Sequence, residues 1–104
     1  MSRSQREKGA NAEREIVHIL EEHGFPARRG QVFNGEPDVI CPSLPFHLEI
    51  KRQETYNISD WWKQSESAAG DSEIPTVIFR KSREPWKIML SLTDLLEILK
   101  EANR

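Results

Sequence analysis

The chain has a single cysteine, no long apolar run and no excess of positive charge, and each lack excludes something. Cys41 cannot form an internal disulfide, which suits a reducing compartment. No stretch approaches the roughly 20 apolar residues that a membrane-spanning helix needs. No apolar segment of the signal-peptide kind stands near the N-terminus, so export is not expected. With 15 Lys and Arg against 17 Asp and Glu, the net charge of -2 does not advertise a nucleic-acid binder. No internal repeat or low-complexity stretch is present. What remains is a chain of 104 residues, 37% hydrophobic and 31% charged, which fits one soluble domain over residues 1–104 with a modest core.

The charge is uneven, and charge on one face matters more than the total. Arg3, Arg6 and Lys8 gather at the start of the first helix, Arg28 and Arg29 open a strand, and Arg80, Lys81, Arg83 and Lys87 surround a turn. The acidic residues concentrate in Glu21-Glu22, in the stretch from Glu66 to Glu73 and near the C-terminus.

The order of elements reads as α/β. Ser4 and Glu7 have capping-box spacing, and a helix-compatible run continues to about Glu22 before His23-Gly24 supplies a stop. Ala27 to Phe33 predicts a strand, and Asn34-Gly35 a tight hairpin turn. Strands around Asp38–Cys41 and Phe46–Lys51 follow. Ser59 is placed to cap a helix running to Ala69, closed by Gly70. Two further strands, Pro75 to Arg80 and Trp86 to Leu90, flank a turn at Arg83-Glu84-Pro85, and Ser91 or Thr93 starts a last helix. A helix between the Glu49 and Thr76 strands implies a parallel crossover. The expected architecture is a mixed five-stranded sheet flanked by helices.

The chemistry concentrates in the second and third strands. Phe46, Leu48 and Ile50 fall on one face of their strand, and His47, Glu49 and Lys51 on the other. If Pro42–Pro45 forms a four-residue connection, Cys41 pairs with Phe46 and Asp38 lies opposite Glu49. Opposed side chains on a sheet have Cβ atoms roughly 5 Å apart, where two like charges destabilise the pairing. Such an arrangement asks for a cation, and a hard divalent ion such as Mg²⁺, held by one or two carboxylates and water, suits it. Lys51 points to the same place, able to orient a nucleophile or stabilise developing negative charge.

In the first helix, Gly9, Glu13, Ile16, Val17 and Leu20 share one stripe at 100° per residue. Glu13 thus sits within the apolar face, where a carboxylate is costly unless paired or near a metal. A salt bridge to Arg14 or Arg28 is the plain alternative. Glu15, Glu21 and Glu22 lie off the stripe and read as solvated, as do His18 and His23. Cys41, at a strand end, reads as a small core residue.

Pro37-Asp38, a variable gap and Glu49-Ile50-Lys51 resemble the PD-(D/E)XK nuclease superfamily. With Lys8-Gly9, Glu13-Arg14-Glu15, Gly24-Phe25 and the basic pair added, the pattern looks like the archaeal Holliday junction resolvases and their phage relatives. The resemblance covers the first half of the chain in motifs and the second half in layout. It implies a restriction-endonuclease-like core and an acidic site made of Glu13, Asp38 and Glu49, completed by Lys51. It also implies a glutamine on the helix after the Glu-X-Lys strand, and Gln64 is the matching position. The archaeal enzymes carry a catalytic serine in the loop before the aspartate, whereas Gly30 to Glu36 contains none.

The resulting expectation is a Mg²⁺-dependent DNA endonuclease of the Holliday junction resolvase type, with Mn²⁺ able to substitute. Asp38, Glu49 and the Ile50 carbonyl would hold the metal, and Glu13 would bind a second ion or a metal-bound water. Arg3, Arg6, Lys8, Arg28 and Arg29 would line the DNA path. A homodimer is expected, since a small chain has little room to bind two strands. Its apolar contact would come from the Trp61-Trp62 helix, the hairpin around Trp86 or the last helix. The alternatives are a nuclease of the same fold acting on flaps, nicks or plain duplex, and an inert DNA-binding subunit. The expected location is the cytoplasm of a bacterial, archaeal or phage-infected cell.

Overall fold

Alternating side chains on the central strands give the sheet two apolar faces, and one helix covers each. The computed structural model describes the backbone from Arg3 to Arg104 and side chains from Arg6 onward; the Ser4 cap and the Arg3 side chain lie outside the described residues. The elements run α1 (Arg3–Glu22), β1 (Arg28–Arg29), a 3₁₀ turn (Val32–Asn34), β2 (Val39–Ile40), β3 (Phe46–Arg52), α2 (Ile58–Ala68), β4 (Ile74–Arg80), β5 (Lys87–Met89) and α3 (Leu92–Ala102). The sheet order is β1-β2-β3-β4-β5. Only the β3–β4 pairing is parallel, across the α2 crossover, and the other three are antiparallel.

Ala12 and Ile16 of α1 pack with Val39, Cys41, Leu48 and Ile50 on one face. Trp61 of α2 packs with Val77 and Phe79 on the other, with Tyr56 and Met89 at its border. Tyr56 meets Phe79 edge-on at 5.0 Å between ring centres, and Trp61 tilts against both. Because β3 contributes even residues to the α1 face, its odd residues, His47, Glu49 and Lys51, share the α2 face with Val77 and Phe79. Cys41 is a free, buried core thiol.

Several expectations at the element ends need correction. The strand predicted from Ala27 to Phe33 stops after Arg29, and Asn34-Gly35 makes no hairpin turn. Gly35, at φ 71°, instead closes the 3₁₀ turn in the left-handed region, its N–H donating to the Val32 carbonyl at 2.9 Å. Gly30 lets the chain come back upon itself, since a Cβ there would meet the Pro37 carbonyl oxygen at 1.7 Å. The second helix begins at Ile58 with Asn57, not Ser59, at its N-cap position. Ser91 caps α3, accepting from the Asp94 N–H at 3.1 Å. Gly9 is exposed, so the buried stripe of α1 runs through Ala12 and Ile16.

Glu15 is exposed, as expected, but it is not idle. It accepts from the Trp86 indole N–H at 2.9 Å and pairs with Arg80 at 3.2 Å, while Arg80 lies 4.9 Å above the Trp86 ring. This cluster ties the middle of α1 to β4 and the start of β5.

Candidate active site

The pairing of Val39 with Leu48 is the register that a four-residue connection predicts, and the next pair along that ladder is Asp38 and Glu49. Both carboxyl groups stand on the α2 face. They are in contact: a hydrogen bond from the protonated Glu49 carboxyl to Asp38 helps to raise the Glu49 pKa. Burial is the largest cause of that rise, followed by the charge of Asp38, and together they push Glu49 up to about 7. The Asp38 Oδ2 also accepts from the Ile50 backbone N–H at 2.8 Å, which fixes its carboxylate across the strand gap.

His47 shares this face, 4% exposed, with Nε2 2.9 Å from Glu49 Oε1 and Nδ1 3.3 Å from Glu73 Oε1. Glu73 in turn accepts from the Gly70 N–H at 2.7 Å. A chain of contacts therefore runs from the loop after α2 through His47 to Glu49. The alternation of β3 puts His47 beside Glu49 in the sequence reading, but nothing there marks Glu73, 26 residues further along.

Glu13 comes from α1, on the opposite face, and its salt bridge is to Arg29, at 3.0 Å, instead of Arg14 or Arg28. Its pKa is raised chiefly by burial and also by Asp38, while Arg29 opposes the rise. Glu13 and Asp38 thus feel one another's charge. Arg28 is engaged by Glu36 at 2.9 Å, so both members of the basic pair carry internal carboxylate partners. Arg14 is bound to Asn11 at 3.0 Å.

The Lys51 side chain has no hydrogen bond or ion pair with any described residue. It lines a groove of about 630 Å³ with Lys8, Gly9, Ala12, Ile50, Gln53 and Thr55. The same groove borders Arg52 and Glu54, which pair at 2.6 Å, and Glu54 is further held by the Ser82 N–H at 2.9 Å. Arg6 borders a separate shallow hollow with Glu7, Ala10, Asn11 and Arg14. The structure thus puts Asp38, Glu49 and Lys51 on one strand face but leaves both carboxyls outside the groove that Lys51 lines; Glu13 is near enough to Asp38 to feel its charge, and Arg6 borders a different hollow. The Gln64 side chain is exposed on α2 without a hydrogen bond, because the inward face of that helix is made by Trp61 and Ser65.

Among the described residues no group of three or more His, Cys, Asp and Glu side chains forms a ready-made ligand cage. The donors on offer are the adjacent Asp38 and Glu49 carboxyls. Two adjacent carboxyls, one of them pushed up to about 7 by burial and by the charge of the other, fit a hard ion that keeps most of its water.

A mixed sheet between helices, bearing an opposed Asp and Glu with a Lys two residues further on, is the framework of a PD-(D/E)XK nuclease. More narrowly, the chain belongs to the family of phage putative PDDEXK endonucleases, whose model matches residues 4–104. Its fold is similar to that of Hjc, a Holliday junction resolvase of the archaeal hyperthermophile Archaeoglobus fulgidus, with a TM-score of 0.60 and 21% identity over 80% of this chain and 72% of the other. No curated protein sequence matches the chain.

Proposed function

We propose that this endonuclease resolves Holliday junctions, acting as a homodimer with a divalent metal ion. The observation that carries the chemistry is the contact of Asp38 with Glu49 on the face that also bears Lys51. The junction reading rests on the likeness to the archaeal resolvase. Asp38, Glu49 and the Ile50 carbonyl would hold Mg²⁺, with Mn²⁺ able to replace it. The ion, when bound, would supply Lewis-acid activation of water and neutralise phosphate charge.

The chain's own residues would do the rest. Asp38, pinned by the Ile50 N–H, presents a fixed carboxylate. His47 braces Glu49 from behind. Lys51, unpaired among the described residues, is free to meet a phosphate oxygen and to stabilise charge developing on it. Glu13, held by Arg29, would assist further out by accepting a hydrogen bond from water or substrate. Gln64 would enter only through a change of position on substrate binding. Lys8 and Lys51 would draw the DNA backbone into their groove, with Arg3, Arg6, Arg28 and Arg29 contributing around it.

A resolvase makes paired cuts, which a two-fold dimer supplies. Of the three expected contact surfaces, Trp61 is spent in the core and Trp86 is tied to Glu15. That leaves α3, with Leu92, Leu95, Leu96 and Leu99 exposed, and Ile88 of β5. A second reading, action on flaps, nicks or plain duplex, is favoured by the lack of serine between Gly30 and Glu36. The retained set of Glu13, Asp38, Glu49 and Lys51 counts against an inert DNA-binding subunit. The test is cleavage of four-way junctions, flaps, nicked and linear duplex in Mg²⁺, Mn²⁺ and Ca²⁺, with sedimentation run in parallel. Symmetric cuts by a dimer in Mg²⁺ support the proposal. Equal cutting of all substrates, or paired cuts by a monomer, would remove the junction or the dimer claim respectively.

A further inference from the structure

Val32 and Phe33 are the two most exposed large apolar side chains of the described residues, at 81% and 85%. They sit side by side on the 3₁₀ turn that leads to Asp38. Two apolar groups held in water lose the burial free energy that either would gain inside, so their position calls for a binding partner.

The turn is braced from within. The Asn34 N–H donates to the Gln31 carbonyl at 3.0 Å and the Asn34 amide to Gln31 Oε1 at 2.8 Å. Glu36 accepts from the Gln31 N–H at 2.9 Å with one oxygen and pairs with Arg28 at 2.9 Å through the other. The base of the loop is closed by the Gly30 N–H on the Asp38 carbonyl at 2.9 Å, and by the approach of Gly30 to Pro37 that only glycine permits. Polar groups thus hold the frame and leave the two apolar side chains outside it. Their position is also tied to the catalytic strand. Asp38 lies five residue steps beyond Phe33, a reach of no more than roughly 18 Å. At 3.4 Å per nucleotide step along a strand, that lies within about five nucleotides of the bond cut at Asp38.

We infer that Phe33, with Val32 beside it, stacks on an unpaired base at the branch of the DNA substrate. The inference rests on the nuclease reading of the Asp38 site and deepens it by naming the feature of DNA that is recognised. An aromatic ring matches a single nucleobase, and stacking tolerates any base because every base has a π-face. In intact duplex the bases are already stacked and paired, so the side chain has nothing to meet. At a branch, a base leaves the stack at less cost. A second copy of the chain is the poorer occupant. Two side chains ringed by Arg28, Gln31, Asn34 and Glu36 fall far short of the roughly 800 Å² per partner that a stable interface buries, and a larger apolar face lies on α3 and β5.

The experiment pairs Phe33→Ala and Phe33→Tyr with branched DNAs in which single bases near the branch are removed, measuring affinity by anisotropy in Ca²⁺. Phe33→Ala should lower the preference for branched over linear DNA about tenfold or more, and Phe33→Tyr should restore it. One abasic position should weaken the wild type by a similar factor and have little further effect on Phe33→Ala. That non-additivity identifies the stacked base. Additive losses at every position, or an unaltered preference in Phe33→Ala, would overturn the inference. So would a change in sedimentation of Phe33→Ala, which would make the loop a subunit contact. A wild-type protein that binds no DNA and cuts none would instead overturn the nuclease reading itself.

Discussion

The two ends of the sheet use burial in opposite ways. Around β2 and β3 the protein places carboxyls in half-buried positions and an imidazole in a buried one and ties them to one another, as in Asp38 with Glu49 and His47 with both Glu49 and Glu73. Around β5 and α3 it leaves Ile88, Leu92, Leu95, Leu96 and Leu99 in water, and α3 has no buried residue. The first end strains the isolated fold to keep charges close, and the second forgoes burial that a single copy could have made. Neither choice helps a lone chain to be stable. On the function proposed above, the one would serve an ion and a phosphate, and the other a second copy of the chain.

The largest expected effect breaks the first end. Asp38→Asn should lower single-turnover cleavage in Mg²⁺ by a factor on the order of a thousand, as loss of a group that stabilises transition-state charge does. The same substitution keeps an oxygen for the Ile50 N–H while removing a like charge from Glu49, so the metal-free protein should melt higher. A variant that unfolds, or that cuts normally, would end the assignment.

A second contrast sets the core against α3. Trp61→Ala should cost about 3–5 kcal/mol in urea unfolding, the usual loss for a buried large aromatic. Leu96→Ala should change the stability of the monomer by about 0.5 kcal/mol or less while weakening dimerisation. If Leu96→Ala destabilised the monomer as Trp61→Ala does, α3 would be part of the core.

The pH dependence sharpens the comparison further. In the metal-free fold Glu49 keeps its proton to about 7, against 4.5 as the ordinary value. The native state then binds more protons than the unfolded chain between these limits, so stability falls as pH rises through that window. Thermal melts of the metal-free wild type should drop from pH 5 to 8, and Glu49→Gln should flatten that drop. A wild type as flat as the variant would contradict the burial and charge assigned to Glu49.

The smallest effect separates the basic residues. Lys8 has no hydrogen-bonded carboxylate partner among the described residues, whereas Arg28 is paired with Glu36. Lys8→Gln should reduce the slope of log affinity against log salt by about one unit, and Arg28→Gln by less. Equal slopes would mean that Arg28 leaves Glu36 when DNA binds.

Where local pattern dictates geometry, the sequence was a sound guide. The alternation from Phe46 to Lys51 and the two prolines between the strands were enough to set Asp38 against Glu49, because a period of two leaves a single face for each residue. The reading failed between Gly30 and Glu36. There Asn34-Gly35 carries the local chemistry of a hairpin, but side-chain bonds from Gln31 and Glu36 stabilise a 3₁₀ turn instead. Glu15 is exposed as its place off the stripe predicts, but its partners Arg80 and Trp86 stand 65 and 71 residues away, beyond the reach of local pattern. The choice of Arg29 over Arg14 and Arg28 as the partner of Glu13 likewise follows from which face each side chain takes, which composition does not specify.

The connection from Pro42 to Pro45, closed by the Leu44 N–H on the Cys41 carbonyl at 3.0 Å, gives loop length a chemical meaning. Surface loops commonly absorb an added residue at little cost. Here a one-residue slip between β2 and β3 would turn Asp38 to the α1 face and bring an apolar neighbour to stand against Glu49. Such a chain would exchange a repelling pair for a neutral one, with Glu13, Asp38, Glu49 and Lys51 all still present in its sequence. Counting motif letters would class it with the nucleases, yet the altered spacing would have taken the opposed carboxyls apart.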